Sequence, residues 1–273
     1  MKNAPLPFSA TGRTAIDVVT ELTQSATKVF VETINAPMAT ESKGRGNVVT
    51  EIDYLIEKQS IELLQKEYPT FHILSEEKGE TIGSSDYTWI LDPIDGTRNF
   101  VSGMPIFSLT VALMYKDQVV LGATLDPFRD ELFVAEFGGG TRLNGRPVRI
   151  GSSQTVQDGV ISSDMGYSDE RAHNALKLMV DLWPGTQSIR ILGSAALALA
   201  YVAVGRLDLY FHHMVSPWDT AAGILLVREA GGIVKDRDGN LGRPESQSII
   251  AGNEQIVDDF LRIAEGSDWR GGA

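Results

Sequence analysis

Trp89-Ile90-Leu91-Asp92-Pro93-Ile94-Asp95-Gly96-Thr97-Arg98-Asn99-Phe100 is the stretch on which the reading of the chain turns. Its apolar start predicts a strand that runs straight into Asp92 and Asp95, placing two carboxylates at a strand's end. In α/β sheets, ligands bind in the crevice outside the carboxyl ends of the strands. Pro93 stiffens the turn between the acids, and the Ile94 carbonyl offers a third oxygen. Hard cations such as Mg2+ take oxygen ligands in near-octahedral geometry, often with substrate phosphate completing the set. Gly96-Thr97 opens a predicted helical turn whose free N–H groups would face a phosphate. A solvated acidic turn capping a helix is the plainer reading of the same spacing. An EF-hand calcium loop fits poorly, because no bidentate Glu follows at the required offset.

Two further segments repeat the pattern. Phe71-His72-Ile73-Leu74 leads into Ser75-Glu76-Glu77, again a short apolar strand ending in acids. Neighbouring side chains of an extended segment point opposite ways, so only one of the two Glu need face a site. An exposed acidic turn running into Lys78-Gly79-Glu80 is the alternative. Downstream, Ser216-Pro217-Trp218-Asp219-Thr220-Ala221-Ala222-Gly223 opens an amphipathic helix closing at Gly231-Gly232. Asp219 falls at or near the N-cap, where the helix dipole favours a carboxylate, so plain capping would account for it. The small Ala221-Ala222-Gly223 run adds something: it lets the helix approach other backbone closely, as a site wall requires.

Between these segments, a helix is predicted over 13–34 from the spacing of Ile16, Val19, Leu22, Ala26 and Val29. Residues 35–47, which include Lys43 and Arg45, read as a mobile loop. A second helix should start at Thr50, with Asp53 three residues on, and end near Tyr68-Pro69. Strands are expected at 107–115, 118–125, 131–137 and 141–150. Beyond about residue 152, strands at 161–163, 188–191, 208–211 and 248–251 alternate with helices at 168–182, 195–204, 220–230 and 255–265. The expected class is α/β, with two sheet layers flanked by helices. Its character changes near residue 150: a half at 1–150 carries the Glu-Glu pair and the first Asp motif, and a half at 151–273 carries the second, in one compact unit.

Composition sets the limits. With 42% hydrophobic residues the chain can bury a substantial core. Its 36 acidic against 24 basic residues give a formal net charge of −12, which repels nucleic acid and anionic membranes. An anionic substrate would be repelled too, unless a cation sits where it binds, and that favours a bound metal. There is no Cys, hence no disulfide framework and no thiol chemistry. Met1–Arg13 holds no apolar stretch of signal-peptide length, and no run approaches the roughly 20 apolar residues of a membrane span. A cytoplasmic protein is expected.

Asp92-Pro93-Ile94-Asp95-Gly96-Thr97 followed by Asn99-Phe100 resembles the first signature of the inositol monophosphatase family. Trp218-Asp219, Ala221-Ala222-Gly223 and Glu229-Ala230-Gly231-Gly232 resemble the second, and Glu76-Glu77 falls where that family carries a Glu-Glu pair. The resemblance runs from about Arg13 to the terminal helix. It implies the layered αβαβα sandwich shared with fructose-1,6-bisphosphatases. It also implies that Glu76, Asp92, the Ile94 carbonyl, Asp95 and Asp219 bind two or three Mg2+. Asp53 would pair with Thr97 to orient the attacking water, and Gly96 and Thr97 would hold phosphate through backbone N–H groups. Gly193-Ser194-Ala195 would line the alcohol part of the substrate together with Asp219, and the protein would be a homodimer.

The resemblance implies hydrolysis of a small phosphate monoester. No Cys and no placeable Ser-His pair offers a covalent nucleophile, so direct attack by metal-activated water is the expected mechanism. An inositol 1-phosphate is the reference substrate. Fructose 1,6-bisphosphate, histidinol phosphate and a nucleotide 3′-phosphate are alternatives, as is a catalytically silent regulatory role. One departure bears on that choice. Many inositol-acting members carry a Glu seven residues before the second-signature Asp, and here that position is His212, followed by His213. Histidine donates as well as accepts and can carry charge near neutral pH; the alternative is a plain strand-end residue. Lys43 or Arg45 could close over the site, or simply belong to a solvated basic loop.

Overall fold

A computed structural model describes residues 6–34, 39–44 and 47–271. In chain order the first elements are α1 (Ala15–Thr33), β1 (Thr40–Gly44), β2 (Asn47–Thr50), α2 (Glu51–Glu67), β3 (His72–Ser75), β4 (Gly79–Thr81), β5 (Tyr87–Asp95) and α3 (Thr97–Val101). The strands β6 (Ser108–Tyr115), β7 (Gln118–Asp126), β8 (Glu131–Glu136), β9 (Gly140–Leu143) and β10 (Arg146–Pro147) follow. Then come β11 (Val160–Ser163), α4 (Asp169–Leu182), β12 (Ser188–Arg190), α5 (Ala195–Ala203), β13 (Leu209–His212) and α6 (Pro217–Glu229). The chain closes with β14 (Ile233–Lys235), β15 (Ile249–Gly252), α7 (Glu254–Ile263) and α8 (Asp268–Gly271).

Eight strands form one sheet in the order β10-β9-β8-β7-β6-β5-β3-β4, antiparallel except where β3 runs parallel to β5. Five form a second, β12-β11-β13-β15-β14, in which β11 is parallel to both its neighbours. Helices α1 and α2 cover one face of the large sheet, burying Val18, Leu22 and Phe30 against Trp89, Leu91 and Val111. Helices α5 and α6 fill the layer between the sheets, where Leu199, Ile224 and Leu226 meet Ile90, Phe133 and Tyr210. Helices α4, α7 and α8 cover the outside of the small sheet through Leu178, Phe260 and Trp269. The result is the layered αβαβα sandwich that the sequence implied. Strands β6 and β7 read as near-continuous apolar runs because both of their faces lie under helices.

The Ala221-Ala222-Gly223 run has the packing role its sizes suggest. A Cβ on Gly122 of β7 would stand 2.8 Å from the Ala222 carbonyl oxygen, and one on Gly223 would stand 2.6 Å from Leu199 Cβ. Only small residues let α6 lie this close to the sheet and to α5.

Three local expectations are corrected. Within 35–47, residues Thr40–Gly44 and Asn47–Thr50 pair as antiparallel strands rather than forming a loop; Val49, 1% exposed, anchors the pair to the core. Residues 35–38 and 45–46, and with them Arg45, lie outside the described residues. Strand β5 runs into the acids as expected, but Pro93 does not make a turn between them. The strand continues through Pro93 to Asp95, with its register against β6 shifting between Asp92 and Asp95. Proline cannot donate to a ladder, and a bulge is where a sheet tolerates it. The predicted 141–150 strand is broken by Asn144, whose φ is 48°, and Gly145 into the short β9 and β10.

Candidate active site

Four chain segments converge where β5 meets the N-termini of α2, α5 and α6. Asp53 and Asp219 are fixed by the same local device. Each is the third residue of its helix and closes a capping box, so Asp219 lies at N3 and Ser216 is the N-cap. Asp53 Oδ2 accepts from the Thr50 N–H at 2.8 Å and the Thr50 hydroxyl at 2.6 Å, while Asp219 Oδ2 accepts from the Ser216 N–H at 2.7 Å. Each carboxylate thus caps its helix with one oxygen and leaves the other for the site. For Asp219 the capping and site readings are therefore compatible.

Asp92, Asp95 and Asp219 each bring a carboxylate oxygen within 4.8 Å of the other two. Glu76, just after β3, stands close enough to Asp92 for its charge to raise the Asp92 carboxyl further. Asp95 is gripped from α5: the Ala196 N–H donates to it at 2.8 Å, the Ala195 N–H at 3.3 Å, and the Ser194 hydroxyl makes a short bond. Ser194 and Ala195 therefore direct these donors at a carboxylate in the site. Gly96, at φ 96°, is packed so tightly that a Cβ would stand 2.9 Å from the Gly193 carbonyl oxygen. The N–H groups of Gly96 and Thr97 open α3, where helix geometry leaves the first donors without intrahelical partners. The Thr97 hydroxyl lies 3.3 Å from Asp53 Oδ1 and 2.9 Å from the Ile94 carbonyl, so its single proton is shared between them.

Burial and mutual repulsion push Asp92 and Asp219 well above the ordinary carboxylate range. Burial lifts Asp95 to about 6 against the opposing hydrogen bonds from α5, and it lifts Asp53 to about 6 against those from Thr50. Glu76 is raised chiefly by burial. A carboxyl whose folded pKa is raised binds more protons folded than unfolded, so it costs stability above its folded pKa and nothing below its unfolded one. Two units correspond to roughly 3 kcal/mol per group. With divalent cations chelated, the melting temperature should be higher at pH 5 than at pH 8. Equal melting temperatures at both would remove the repulsion.

Lys43, from β1, reaches the pair of glutamates. Its Nζ is 3.4 Å from Glu76 and in direct contact with Glu77. Glu77 is further fixed by its N–H, which donates to the buried Glu57 at 3.0 Å. His212 makes no contact of this kind with the acids. It is 4% exposed at the end of β13, its Nδ1 accepts from the Met214 N–H at 2.9 Å, and burial pushes its pKa down to about 3. Of the states the sequence admits, burial favours the neutral ring, because no solvent or acidic partner stabilises the charge.

Sequence reading missed Asp164. This buried carboxylate accepts from the Gly193 N–H at 2.6 Å and the Tyr210 hydroxyl at 3.0 Å, fixing the segment that holds Asp95. It also follows a strand, Val160–Ser163, so the strand-into-acid pattern could have found it. Asn99 is a second such clamp, donating to the carbonyls of Ile106 at 2.6 Å and Leu192 at 2.7 Å.

The chain resembles known proteins over most of its length. The profile described as the Inositol monophosphatase family matches residues 10–266. The chain is 40% identical over 225 residues to the Inositol-1-monophosphatase of Mesorhizobium japonicum, covering 82% of this chain and 85% of that one. It is 35% identical over 250 residues to the Nus factor SuhB of Salmonella typhimurium, covering 90% and 94%. The crystal structure of the extragenic suppressor protein suhB from Bartonella henselae matches with a TM-score of 0.88 at 35% identity, covering 92% of this chain and 98% of that one.

Proposed function

The chain belongs to the inositol monophosphatase family, and from that premise we propose that it hydrolyses a small phosphate monoester with the help of Mg2+. The observation that carries the proposal is the convergence of Asp92, Asp95 and Asp219 with Glu76 in a buried cluster whose negative charges repel one another. An all-oxygen, multiply charged donor set of this kind suits a hard divalent cation. Glu76, Asp92, Asp95, Asp219 and the Ile94 carbonyl would hold two or three such ions. Bound there, Mg2+ would supply the positive charge that neutralises phosphoryl and leaving-group oxygens and would make water more acidic. It should also raise the melting temperature at pH 8 and so narrow the gap to pH 5.

The chain's own residues divide the remaining work. Gly96 and Thr97 present backbone donors to the phosphate. Thr97 and Asp53 orient the attacking water, with Asp53, near pKa 6, accepting a proton through the Thr97 hydroxyl. Gly193 and Asp219 border the space for the alcohol. Lys43 meets Glu76 and Glu77 in this structure and would yield Glu76 to the cation.

The relative named Nus factor SuhB motivates a second reading, a catalytically silent regulator. The complete carboxylate set argues for hydrolysis, and phosphate release with and without Mg2+ separates the two. A small phosphorylated metabolite, rather than nucleic acid, suits the net charge of −12. A cytoplasmic location belongs to the same proposal; among the described residues no helix is long and apolar enough to cross a membrane. A homodimer would cover Leu176, Val180 and Trp183, which are 46%, 69% and 60% exposed in and just after α4 beside the edge strand β12. Sedimentation should find a dimer that Trp183→Glu weakens, and a monomeric wild type would refute it.

Substrate choice rests on His212. A neutral imidazole with Nδ1 engaged offers one N–H donor, which suits a substrate carrying a second phosphate or another acceptor better than a polyol. Inositol 1-phosphate should be turned over without being the best ester in a broad panel. His212→Glu should shift the kcat/KM ratio towards it by about tenfold or more, with Mg2+ dependence unchanged. A wild type that already prefers inositol 1-phosphate to every bisphosphate and nucleotide contradicts this.

A further inference from the structure

On the outer side of the small sheet, away from the carboxylate cluster, Arg171, Arg237, His213 and Trp269 line a cavity of about 10 Å³ together with Glu170, Asn174 and Asp268. His213 and Trp269 are each 2% exposed, yet neither His213 ring nitrogen nor the Trp269 indole N–H has a hydrogen-bond partner. The Met165 backbone approaches the imidazole without making a well-formed bond. Buried donors are almost always satisfied, so two on one cavity wall call for an occupant. The arginines narrow its chemistry. Both lie near enough to His213 to act on its charge, and neither forms an ion pair among the described residues. Among the described residues, the Arg171 guanidinium donates to the His213 carbonyl alone, at 3.4 Å. Of the acids on the rim, Asp268 is taken by Lys177 at 2.7 Å. Glu170 on the same rim offsets one of the two arginines. A water molecule would satisfy the N–H groups but leave the second cation unbalanced; an anion does both.

We propose that this cavity is an anion site, in which Arg171, Arg237, His213 and the Trp269 indole hold one oxygen of a phosphate or carboxylate group. The rest of the ligand lies towards the adjoining open groove of about 530 Å³, which shares Glu170, Asn174 and Asp268 and adds Asp238, Ser267 and Arg270; those three acids leave the two arginines of the cavity as the anchor for the anionic end. Phosphate and carboxylate differ in charge and in the number of oxygens offered to the arginines, so each is tested alone.

The probe is sodium sulfate, then sodium acetate, titrated into the whole protein in EDTA at constant ionic strength, with indole N–H resonances followed by NMR and Trp269 assigned by Trp269→Phe. The Trp269 resonance should shift saturably, with a dissociation constant in the millimolar range. Arg237→Gln and Arg171→Gln should each weaken the effect about tenfold, Arg237→Lys less, and Arg146→Gln on exposed β10 not at all. A stronger response to sulfate identifies the ligand as a phosphate group, and one to acetate as a carboxylate. No saturable shift with either anion, or an equal shift in Arg237→Gln and Arg146→Gln, would show that the cavity holds water only and overturn the proposal. Circular dichroism confirms that each variant is folded before titration.

Discussion

Asp95→Asn should lower phosphate release by about three orders of magnitude or more while leaving the protein folded. The substitution keeps the shape, and the amide oxygen can still accept from the Ala196 N–H and the Ser194 hydroxyl. What it removes is one negative charge from a cluster whose role, on this account, is to hold cations. The same change should not lower the melting temperature in EDTA at pH 8, and should raise it, because a carboxylate lifted to about 6 by burial no longer has to ionise. Lost activity with retained or increased stability distinguishes a site residue from a structural one. Near-normal turnover at saturating Mg2+ would end the ligand assignment.

Thr97→Val and Asp53→Asn should each cost about 100-fold or more in kcat, and the double variant little more than either alone. The expectation rests on the 3.3 Å approach of the Thr97 hydroxyl to Asp53 Oδ1. A pair that orients one water fails as a unit once either member is gone, which a double-mutant cycle reads as strong coupling. Asp53 also caps α2, so helix content is measured alongside; Asn retains an oxygen to accept from the Thr50 N–H. Fully additive losses would show that the two act independently.

The parts of this fold that could be read in the sequence are those with local causes. Thr50 with Asp53 three residues on is a capping signature within one helical turn, and the structure has both halves of it. The strand leading into Asp92 and the small-residue run on α6 are equally local. The features that escaped depend on contacts between distant segments. Asp95 is held by Ser194 and Ala196, about a hundred residues away, and nothing near either end announces the meeting. Asp164 follows a strand as the other acids do, but its role as a clamp exists only because Gly193 and Tyr210 close on it. His212 illustrates the same limit in electrostatics. Its sequence position admits a charge, and only the tertiary burial at the end of β13 denies it. Pro93 reads locally as a turn residue, whereas the register shift in β5 lets the strand carry it.

The most direct test is phosphate release from a panel of small phosphate monoesters, measured first in EDTA and then across a Mg2+ titration of the same preparation. The account predicts no release above background in EDTA and saturable release with Mg2+ for at least one ester, abolished by Asp95→Asn. Release that is indifferent to EDTA would contradict the role given to the carboxylate cluster, and no release from any ester at saturating Mg2+ would contradict hydrolysis itself.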